Sequence, residues 1–312
     1  MSDRTFELAA IDVGQSGVRM QLRDADGGST QWRSPVGLDA SSTLSLTELA
    51  GRLRVACEGI SARVVGIGVT GEHQDAALDR FALEIMDALR ATEACIAHDS
   101  VTAHVGALSG RDGVVIAAGT GVVSLGVSPS AVARSDGWGA LLGDRGGGFW
   151  IGRAGLRAAT AERDGAGQRT DLTAAAERRF GPLPALMPSA AQPSTAAVAA
   201  FAKDVLAAAE SDDAARAIAE DAAAELARTT IACADRAFGA DAAGVSVSAV
   251  GGVFDSPFIR SSWGARVRAA GLEERNPSGD PLQGAALLPS TPPAFFERTA
   301  SRRVRSADRP RR

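Results

Sequence analysis

Two stretches of this chain repeat one pattern. Residues 8–22 read LAAIDVGQSGVRMQL, and residues 114–127 read VVIAAGTGVVSLGV. Each joins an apolar, strand-like run to a second strand-like run through a short glycine turn. Glycine adopts positive φ without strain and lets backbone N–H groups approach an anion closely. One such turn alone is explained equally well by an ordinary hairpin. The pair predicts a duplicated fold with two turns suited to the same phosphate.

The rest of each half follows the same order. A third extended stretch comes after each hairpin, at residues 30–35 and 131–135. In the first half, apolar spacing then predicts helices at 46–58, 81–89 and 101–108, alternating with strands at 64–70 and 94–98. In the second half it predicts Ala-rich helices within 148–238, broken by a Gly/Pro-rich connection at 181–193, then a strand at 245–250 and a helix at 258–270.

Strands that alternate with helices after an antiparallel meander indicate an α/β protein with a mixed sheet. Two such halves predict the duplicated ribonuclease-H-like fold, with two domains around a nucleotide cleft. We expect the first domain at residues 1–110 and the second, with a helical insertion, at 111–297. Residues 298–312 contain seven arginines and almost no apolar side chains, which predicts a disordered basic tail.

Composition narrows the class of protein. The 312 residues are 45% hydrophobic and 22% charged, and the net charge of −4 argues against nucleic acid as a partner. We find no apolar run of the ~20 residues needed to cross a bilayer and no secretion-signal pattern, so we expect a cytoplasmic protein without a membrane partner. Cys57, Cys95 and Cys233 lie singly in apolar surroundings and are predicted to be buried core thiols.

Five motifs in order resemble a known family. They are DVGQSG at 12–17, HDSVTAHVGA at 98–107, GVVIAAGTG at 113–121, DGWGALLGDRGGGFWIGR at 136–153 and VGG at 250–252. Together they resemble the N-acetylglucosamine kinase branch of the sugar kinase, actin and Hsp70 ATPase superfamily. This branch belongs with the BadF/BadG/BcrA/BcrD ATPase family, which includes activators of 2-hydroxyacyl-CoA dehydratases. The resemblance implies the actin-like ATPase fold, ATP and Mg²⁺ as cofactors, and a small sugar as substrate.

The first glycine turn follows Asp12, which ends an apolar run. In the family the matching carboxylate lies beside Mg²⁺ and the β- and γ-phosphates, which implies a metal role for Asp12; a turn-capping aspartate is the structural alternative. The turn departs from the family pattern at Gln15 and Val18, where glycine, threonine and a basic residue are usual. The resemblance implies nucleotide contacts from Asp12, Gly14, Gln15, Ser16, Gly17, Gly119, Thr120, Gly251 and Gly252.

Asp99 follows the predicted strand 94–98, at the edge where α/β sheets place their ligands. A carboxylate there can accept the proton of an attacking sugar hydroxyl during phosphoryl transfer. The family counterpart is the catalytic base, and the resemblance implies that role for Asp99. A helix N-cap is the alternative, or an additional, role. His98, its neighbour, is a candidate to support it.

The second half carries the implied sugar contacts, which are Thr120, Gly121, Trp138 and Asp144. A carboxylate suits a vicinal diol because each oxygen can accept a hydrogen bond, and the family places one at Asp144. Trp138 is a candidate to pack under a sugar face, with a core position as the alternative. The sequence departs from the family at Val122, Val123 and Arg145, where polar or acidic residues are usual.

The resemblance implies an ATP-dependent kinase of N-acetylglucosamine or a related amino sugar, acting at the 6-hydroxyl with Asp99 as base. A non-catalytic nucleotide or sugar sensor is the alternative, suggested by the departures from the family pattern. A dehydratase activator ranks last, because the three cysteines do not match the placement of a shared iron–sulfur cluster. Dimerisation through the second domain is common among relatives, so the resemblance also suggests a homodimer.

Overall fold

Two β-sheets with the same strand order organise the chain in this computed structural model, which describes residues 4–15, 17–34, 38, 45–71, 73–186 and 193–305. The chain divides into two units, residues 1–111 with 277–312 and residues 112–276. Each unit is built around one sheet. Each sheet starts with a three-stranded antiparallel meander, and parallel strands extend it.

The first unit begins with the meander and three alternating helices. Its elements are β1 (Arg4–Gly14), β2 (Gly17–Arg23), β3 (Ser29–Ser34), α1 (Leu46–Ala56), β4 (Ile60–Val69), α2 (Asp75–Ala88), β5 (Glu93–His98) and α3 (Asp99–Leu108). The end of the chain returns to it as α10 (Pro281–Leu287), α11 (Pro293–Thr299) and β11 (Ala300–Val304). The strand order is β11-β5-β4-β1-β2-β3.

The second unit repeats the meander and adds a helical layer. Its elements are β6 (Gly113–Ala118), β7 (Val122–Val127), β8 (Val132–Asp136), α4 (Gly139–Leu142), α5 (Gly148–Arg163), α6 (Leu172–Phe180), α7 (Thr195–Ala208), α8 (Asp213–Phe238), β9 (Ser246–Val250), α9 (Pro257–Ala269) and β10 (Glu273–Glu274). The order β10-β9-β6-β7-β8 matches β5-β4-β1-β2-β3 of the first unit strand for strand. This shared order confirms the predicted duplicated α/β fold.

The C-terminal segment differs from the sequence prediction. Residues 277–297 were predicted in the second domain, yet α10 packs against α3, β1 and β4 of the first unit. Glycines make this packing possible: a Cβ on Gly66, Gly106 or Gly284 would overlap backbone atoms across these contacts. Close backbone approach, rather than a broad apolar face, therefore fixes α10 in the first unit.

The predicted disordered tail is also ordered in part. Arg298 lies in α11, and β11 pairs antiparallel with β5, with Ala300 opposite Ala97 and Val304 opposite Glu93. Arg302 pairs with Glu93, and two further ion pairs join Arg303 to Asp79 and Arg305 to Asp87. Backbone pairing and ion pairs order this segment without apolar burial, which is why composition did not predict it. The predicted tail from residue 306 onward lies outside the described residues.

Separate cores fill the two units. In the first, side chains of β1, β4 and β5 pack with α1 and α2, and every residue of α3 from Ser100 to Leu108 is buried. In the second, β6 and β9 pack with α5, α7, α8 and α9 around Trp263, whose indole N–H donates to Thr230 Oγ1 at 3.1 Å. Cys57, Cys95 and Cys233 are buried free thiols, as predicted.

Candidate functional site

Asp12 lies near the end of β1, directly before the first glycine turn, and its side chain is largely buried. The antiparallel register of β1 and β2 places Arg19 opposite it. Arg19 donates from Nη2 and Nε to the same oxygen, Asp12 Oδ2, at 2.6 and 3.0 Å. The turn-capping alternative for Asp12 finds no support, because its recorded partner is this cross-strand guanidinium.

A second carboxylate holds the same guanidinium. Arg19 Nη1 donates to Asp280 Oδ2 at 2.8 Å. The other oxygen of Asp280 caps α10 by accepting the N–H of Gln283 at 2.9 Å, and the Gln283 side chain accepts the Asp280 N–H in return. This capping box ties the start of α10 to the Arg19–Asp12 pair.

Opposing effects act on the ionisation of Asp12. Burial raises the pKa of its carboxyl above the usual value, and Arg19 offsets part of this shift by favouring the charged form. Asp99 and Asp280 raise the pKa further by charge repulsion. Asp12 and Asp99 therefore lie close enough to interact electrostatically.

Asp12 fits Mg²⁺ as one carboxylate ligand. Mg²⁺ keeps several waters and is commonly bound by one or two carboxylates together with substrate phosphates. Asp12 Oδ1 forms no recorded hydrogen bond with the described residues, whereas Oδ2 is taken by Arg19. Among the described residues, no group of three or more His, Cys, Asp or Glu side chains could enclose a metal. Asp12 Oδ1 is thus free to serve as a protein ligand in this part of the first unit.

Asp99 is the first residue of α3, directly after β5. Its side chain is 27% exposed, yet Oδ1 is buried and lies 2.9 Å from His98 Nδ1. His98, not Asp99, is the N-cap of α3: Nδ1 accepts the Ser100 N–H at 3.1 Å. The expectation that Asp99 itself caps this helix is wrong. The Oδ2 side of the Asp99 carboxylate remains available to a ligand.

The first glycine turn is a tight reversal between β1 and β2. Gly14 and Gly17 are paired across it, with Gln15 between them partly buried. The Leu38 N–H donates to Gly14 O at 3.0 Å, so this carbonyl is held by the chain. Ser16, predicted to contact phosphate, lies outside the described residues. The predicted phosphate contacts of Gly14, Gln15 and Gly17 stay predictions.

The second glycine turn joins β6 to β7 and leads into the start of α5. Gly119 N–H donates to Gly121 O at 3.0 Å, so it is committed to the turn. The first turn of α5 donates back, from Gly148 to Gly119 O and from Phe149 to Thr120 O. A Cβ on Gly119 would meet no atom within 4 Å, so the space beside it is open to a ligand.

Asp144 packs directly on this turn. It is buried, and Oδ1 accepts the Val122 N–H at 3.1 Å. A Cβ on Gly121 would lie 2.5–2.8 Å from the carboxylate, so glycine is what lets Asp144 approach. Burial raises the pKa of Asp144, and the Val122 N–H partly offsets this shift. The structure therefore joins two of the predicted sugar-binding residues, Gly121 and Asp144.

Asp136 holds Asp144 in place from the end of β8. Its carboxylate accepts backbone N–H groups of Gly137, Asp144 and Arg145 at 2.8, 2.8 and 3.2 Å. Both aspartates adopt positive φ, +61° for Asp136 and +54° for Asp144, a region that residues other than glycine rarely occupy. Such strain persists only where surrounding contacts enforce it and is common at functional sites.

Trp138 lies on the loop that Asp136 closes. It is 71% exposed, and Leu141 and Leu142 in the adjoining α4 are 89% and 73% exposed. The core position considered for Trp138 is therefore wrong. Its contact with a sugar stays a prediction. Arg145, which stands where the family has an acid, is exposed.

Gly251 and Gly252 follow β9, as expected for a strand-to-helix connection. Gly251 has φ +100°, and a Cβ there would overlap the backbone of Ala118 at the end of β6. Gly252 starts a single 3₁₀ turn, and Ser256 then caps α9. Close approach of two strand ends explains Gly251. A nucleotide contact for either glycine stays a prediction.

Sequence reasoning missed three side chains that hydrogen-bond to the candidate site residues or to their neighbours: Arg19, Asp136 and Asp280. Arg19 could have been found, because a hairpin closing at residues 15–16 puts position 19 opposite position 12. Asp136 directly precedes Gly137 in the quoted motif, but its positive φ leaves no mark on the sequence. Asp280 is 261 residues away from Arg19, and nothing local indicates the contact.

Two mixed sheets in the same strand order, each with a carboxylate beside a glycine turn, define a protein of the sugar-kinase and actin-like ATPase fold. Residues 11–289 match the BadF/BadG/BcrA/BcrD ATPase family. The chain belongs to this family.

Individual relatives are similar over different lengths. A putative N-acetylglucosamine kinase from Chromobacterium violaceum superposes with a TM-score of 0.69 at 25% identity, over 90% of this chain and 97% of that one. An N-acetyl-D-glucosamine kinase of Dictyostelium discoideum is 50% identical over 62 residues, 20% of this chain and 19% of its own. An N-acetylmuramic acid/N-acetylglucosamine kinase of Clostridium acetobutylicum is 35% identical over 78 residues, 25% of this chain and 26% of its own. The chain thus spans about a fifth to a quarter of these curated relatives.

No helix in the described ranges combines the length and apolar character required to cross a membrane.

Proposed function

We propose that this protein is an ATP-dependent kinase of N-acetylglucosamine or a related amino sugar, transferring the γ-phosphoryl group to the 6-hydroxyl. Family membership and the relatives named as N-acetylglucosamine kinases support the reaction class. The observation that carries the proposal is Asp99: a carboxylate at the carboxyl end of β5, with one oxygen buried and the other side open, near the buried Asp12.

Asp99 acts as general base in this proposal. As the sugar oxygen attacks the γ-phosphorus, its proton passes to Asp99 Oδ2. The new O–P bond forms while the bond from the γ-phosphorus to the ADP oxygen breaks, so ADP leaves with the electron pair. Asp99 also orients the hydroxyl toward the phosphorus, which is the larger task in a loose phosphoryl-transfer transition state.

Other residues bind and orient. Asp12 Oδ1 is the ligand proposed for Mg²⁺, which when bound neutralises charge that develops on the phosphates. Asp144 is proposed to accept hydrogen bonds from sugar hydroxyls, with Thr120, Gly121 and Trp138 beside it on the same unit. Gly14, Gln15, Ser16, Gly17, Gly119, Gly251 and Gly252 are proposed to contact the nucleotide.

The test is Mg²⁺-dependent ADP release across a panel of hexoses: N-acetylglucosamine, glucosamine, N-acetylmuramic acid, N-acetylmannosamine and glucose. We expect saturable turnover with one amino sugar and a loss of at least ~100-fold in kcat for Asp99→Asn, with ATP binding retained. The matched control is Asp26→Asn, an exposed aspartate in the β2–β3 turn, which should keep full turnover. Wild-type silence across the panel with ATP bound would overturn the proposal.

A second candidate is a nucleotide or sugar sensor that binds without transfer. The Arg19–Asp12 ion pair favours it, because a guanidinium on Oδ2 competes with a metal cation for the same carboxylate. Calorimetry separates the two: a sensor binds ATP or sugar with no Mg²⁺-dependent turnover, whereas the kinase binds both and releases ADP. A dehydratase activator finds no support in the thiols, since burial raises the pKa of Cys57 to about 11 and that of Cys95 to about 12.

A further inference from the structure

Three parallel strands of the first sheet end side by side. β1, β4 and β5 are neighbours, and their registers place Val13, Val69 and His98 in one row. The residue that follows this row on β4 is Thr70, and the one that follows it on β5 is Asp99. Because β4 is the middle strand, Thr70 lies between the strand that leads into the first glycine turn and the strand that leads to the proposed base.

Thr70 extends the pairing of β4 with β1 by one residue, since its N–H donates to Val13 O at 2.9 Å. Side chains alternate along a strand, so Thr70 follows Gly68 on the face of the sheet where Asp12, the partner of Gly68, also lies. α3 packs on this face, because a Cβ on Gly68 would overlap one of its side chains. Thr70 and Asp12 therefore share one face and one edge of the sheet with α3, which begins at Asp99.

The hydroxyl of Thr70 is the polar group that the fold leaves unused. The backbone N–H is committed to Val13, and the carbonyl accepts a hydrogen bond from His73 Nε2 at 2.9 Å. The side chain is 6% exposed, against 8% for Asp12, and Oγ1 forms no recorded hydrogen bond with the described residues. Nearly buried polar groups are almost always paired, so this hydroxyl points to a partner that the described chain does not supply.

We propose that Thr70 is a further catalytic residue, whose hydroxyl donates a hydrogen bond to the phosphoryl group during its transfer. This inference rests on the proposed kinase function. The phosphoryl group leaves the nucleotide phosphates, beside the proposed metal ligand Asp12, and reaches the sugar hydroxyl beside Asp99. Thr70 lies between these two places.

A hydroxyl suits this position chemically. The transferring phosphoryl group carries negative charge on its three equatorial oxygens, and a fixed neutral donor stabilises that charge without adding repulsion. The proton of Thr70 stays on Oγ1 throughout, while the proton of the sugar hydroxyl passes to Asp99. Thr70 thus contributes a hydrogen bond and exchanges no atom with the substrate.

Two substitutions separate the hydroxyl from the shape of the side chain. Thr70→Val keeps the branched shape and loses the donor, whereas Thr70→Ser keeps the donor. We expect kcat to fall about 10-fold or more in Thr70→Val and to stay within about threefold of wild type in Thr70→Ser, with KM for the sugar little changed in both. The matched control is Thr30→Val, which removes an exposed hydroxyl from β3 and should keep full turnover. Full turnover in Thr70→Val would overturn the proposal.

A binding measurement gives a readout that does not depend on turnover, because ATP carries the γ-phosphoryl group and ADP does not. In calorimetry with Mg²⁺, Thr70→Val should weaken binding of the non-hydrolysable β,γ-imido analogue of ATP about fivefold or more and leave ADP binding within about twofold of wild type. The unfolding temperature should not fall, because Oγ1 has no recorded partner in the described fold to lose.

The binding result also separates this proposal from the kinase function. Unchanged affinity of Thr70→Val for the analogue, or an equal loss of affinity for ADP, would overturn the phosphoryl contact. In a wild type without turnover, a loss confined to the analogue would instead overturn the kinase function and leave the contact of Thr70 with the γ-phosphoryl group established.

Discussion

Asp12 and Arg19 face each other across the β1–β2 hairpin, and the guanidinium donates two hydrogen bonds to a single carboxylate oxygen. A third hydrogen bond from Arg19 reaches Asp280 at the start of α10. Arg19 therefore links the proposed metal ligand to the segment that returns from the end of the chain. Loss of Arg19 should therefore weaken both the positioning of Asp12 and the attachment of α10.

Arg19→Ala should lower the free energy of unfolding by about 1–3 kcal/mol, because it leaves the buried Asp12 without its partner. Urea unfolding measures this loss. The matched variant Asp12→Asn/Arg19→Ala should be less destabilised than the sum of the single changes, with a coupling of about 0.5–3 kcal/mol. Additive effects would show that the ion pair contributes nothing to stability.

The sequence predicted the two meanders and the strands that extend them, because alternating apolar residues and glycine turns are local signals. It did not predict where α10 belongs. That helix has seven residues, and its placement depends on backbone approach at Gly106 and Gly284, which periodicity does not encode. It missed β11 because ASRRV reads as polar, and backbone pairing with β5 orders it instead.

β11 supports the strand that leads to His98 and Asp99. A chain ending at residue 299 loses five paired residues and the ion pairs of Arg302, Arg303 and Arg305, and it exposes β5 as a sheet edge. We expect a lower unfolding temperature and a tendency to associate, measured by calorimetry and light scattering. The control is a chain ending at residue 305, which keeps all of β11. Equal stability of the two truncations would contradict the supporting role.

Of the candidate site, the sequence identified the carboxylates and His98, but neither Arg19 nor Asp136. Asp99, Asp12 and Asp144 follow strands or glycine motifs and could be predicted. Arg19 acts through the cross-strand register of β1 and β2, and Asp136 acts from a backbone with positive φ. The register follows from the position of the hairpin turn, whereas the positive φ of Asp136 leaves no mark on the sequence.

Asp144 should make stability depend on pH. Because burial raises its folded pKa above the unfolded value of 3.8, the folded state binds more protons between the two values. Stability should therefore fall as pH rises from about 3.8 through the folded pKa, and the penalty should persist at neutral pH. Asp144→Asn keeps an acceptor for the Val122 N–H and removes the charge. It should unfold at a higher temperature at pH 7 than wild type, with a smaller difference near pH 4, and should bind sugar more weakly. A lower unfolding temperature at pH 7 would contradict this view of Asp144.

Two neighbouring glycines allow a matched test of the second turn. A Cβ on Gly121 would lie 2.5–2.8 Å from the Asp144 carboxylate, whereas a Cβ on Gly119 would meet nothing within 4 Å. Gly121→Ala must therefore displace Asp144, strain the loop held by Asp136 and lower the free energy of unfolding by about 1–3 kcal/mol. Gly119→Ala should fold with wild-type stability. If Asp144 binds the sugar, Gly121→Ala should also raise KM for the sugar more than KM for ATP. Gly119→Ala leaves Asp144 in place, so its KM for the sugar should stay nearer to the wild-type value. Equal stability of the two variants would show that the Asp144 loop moves aside without cost, and would remove the close Gly121–Asp144 contact as the reason for glycine here.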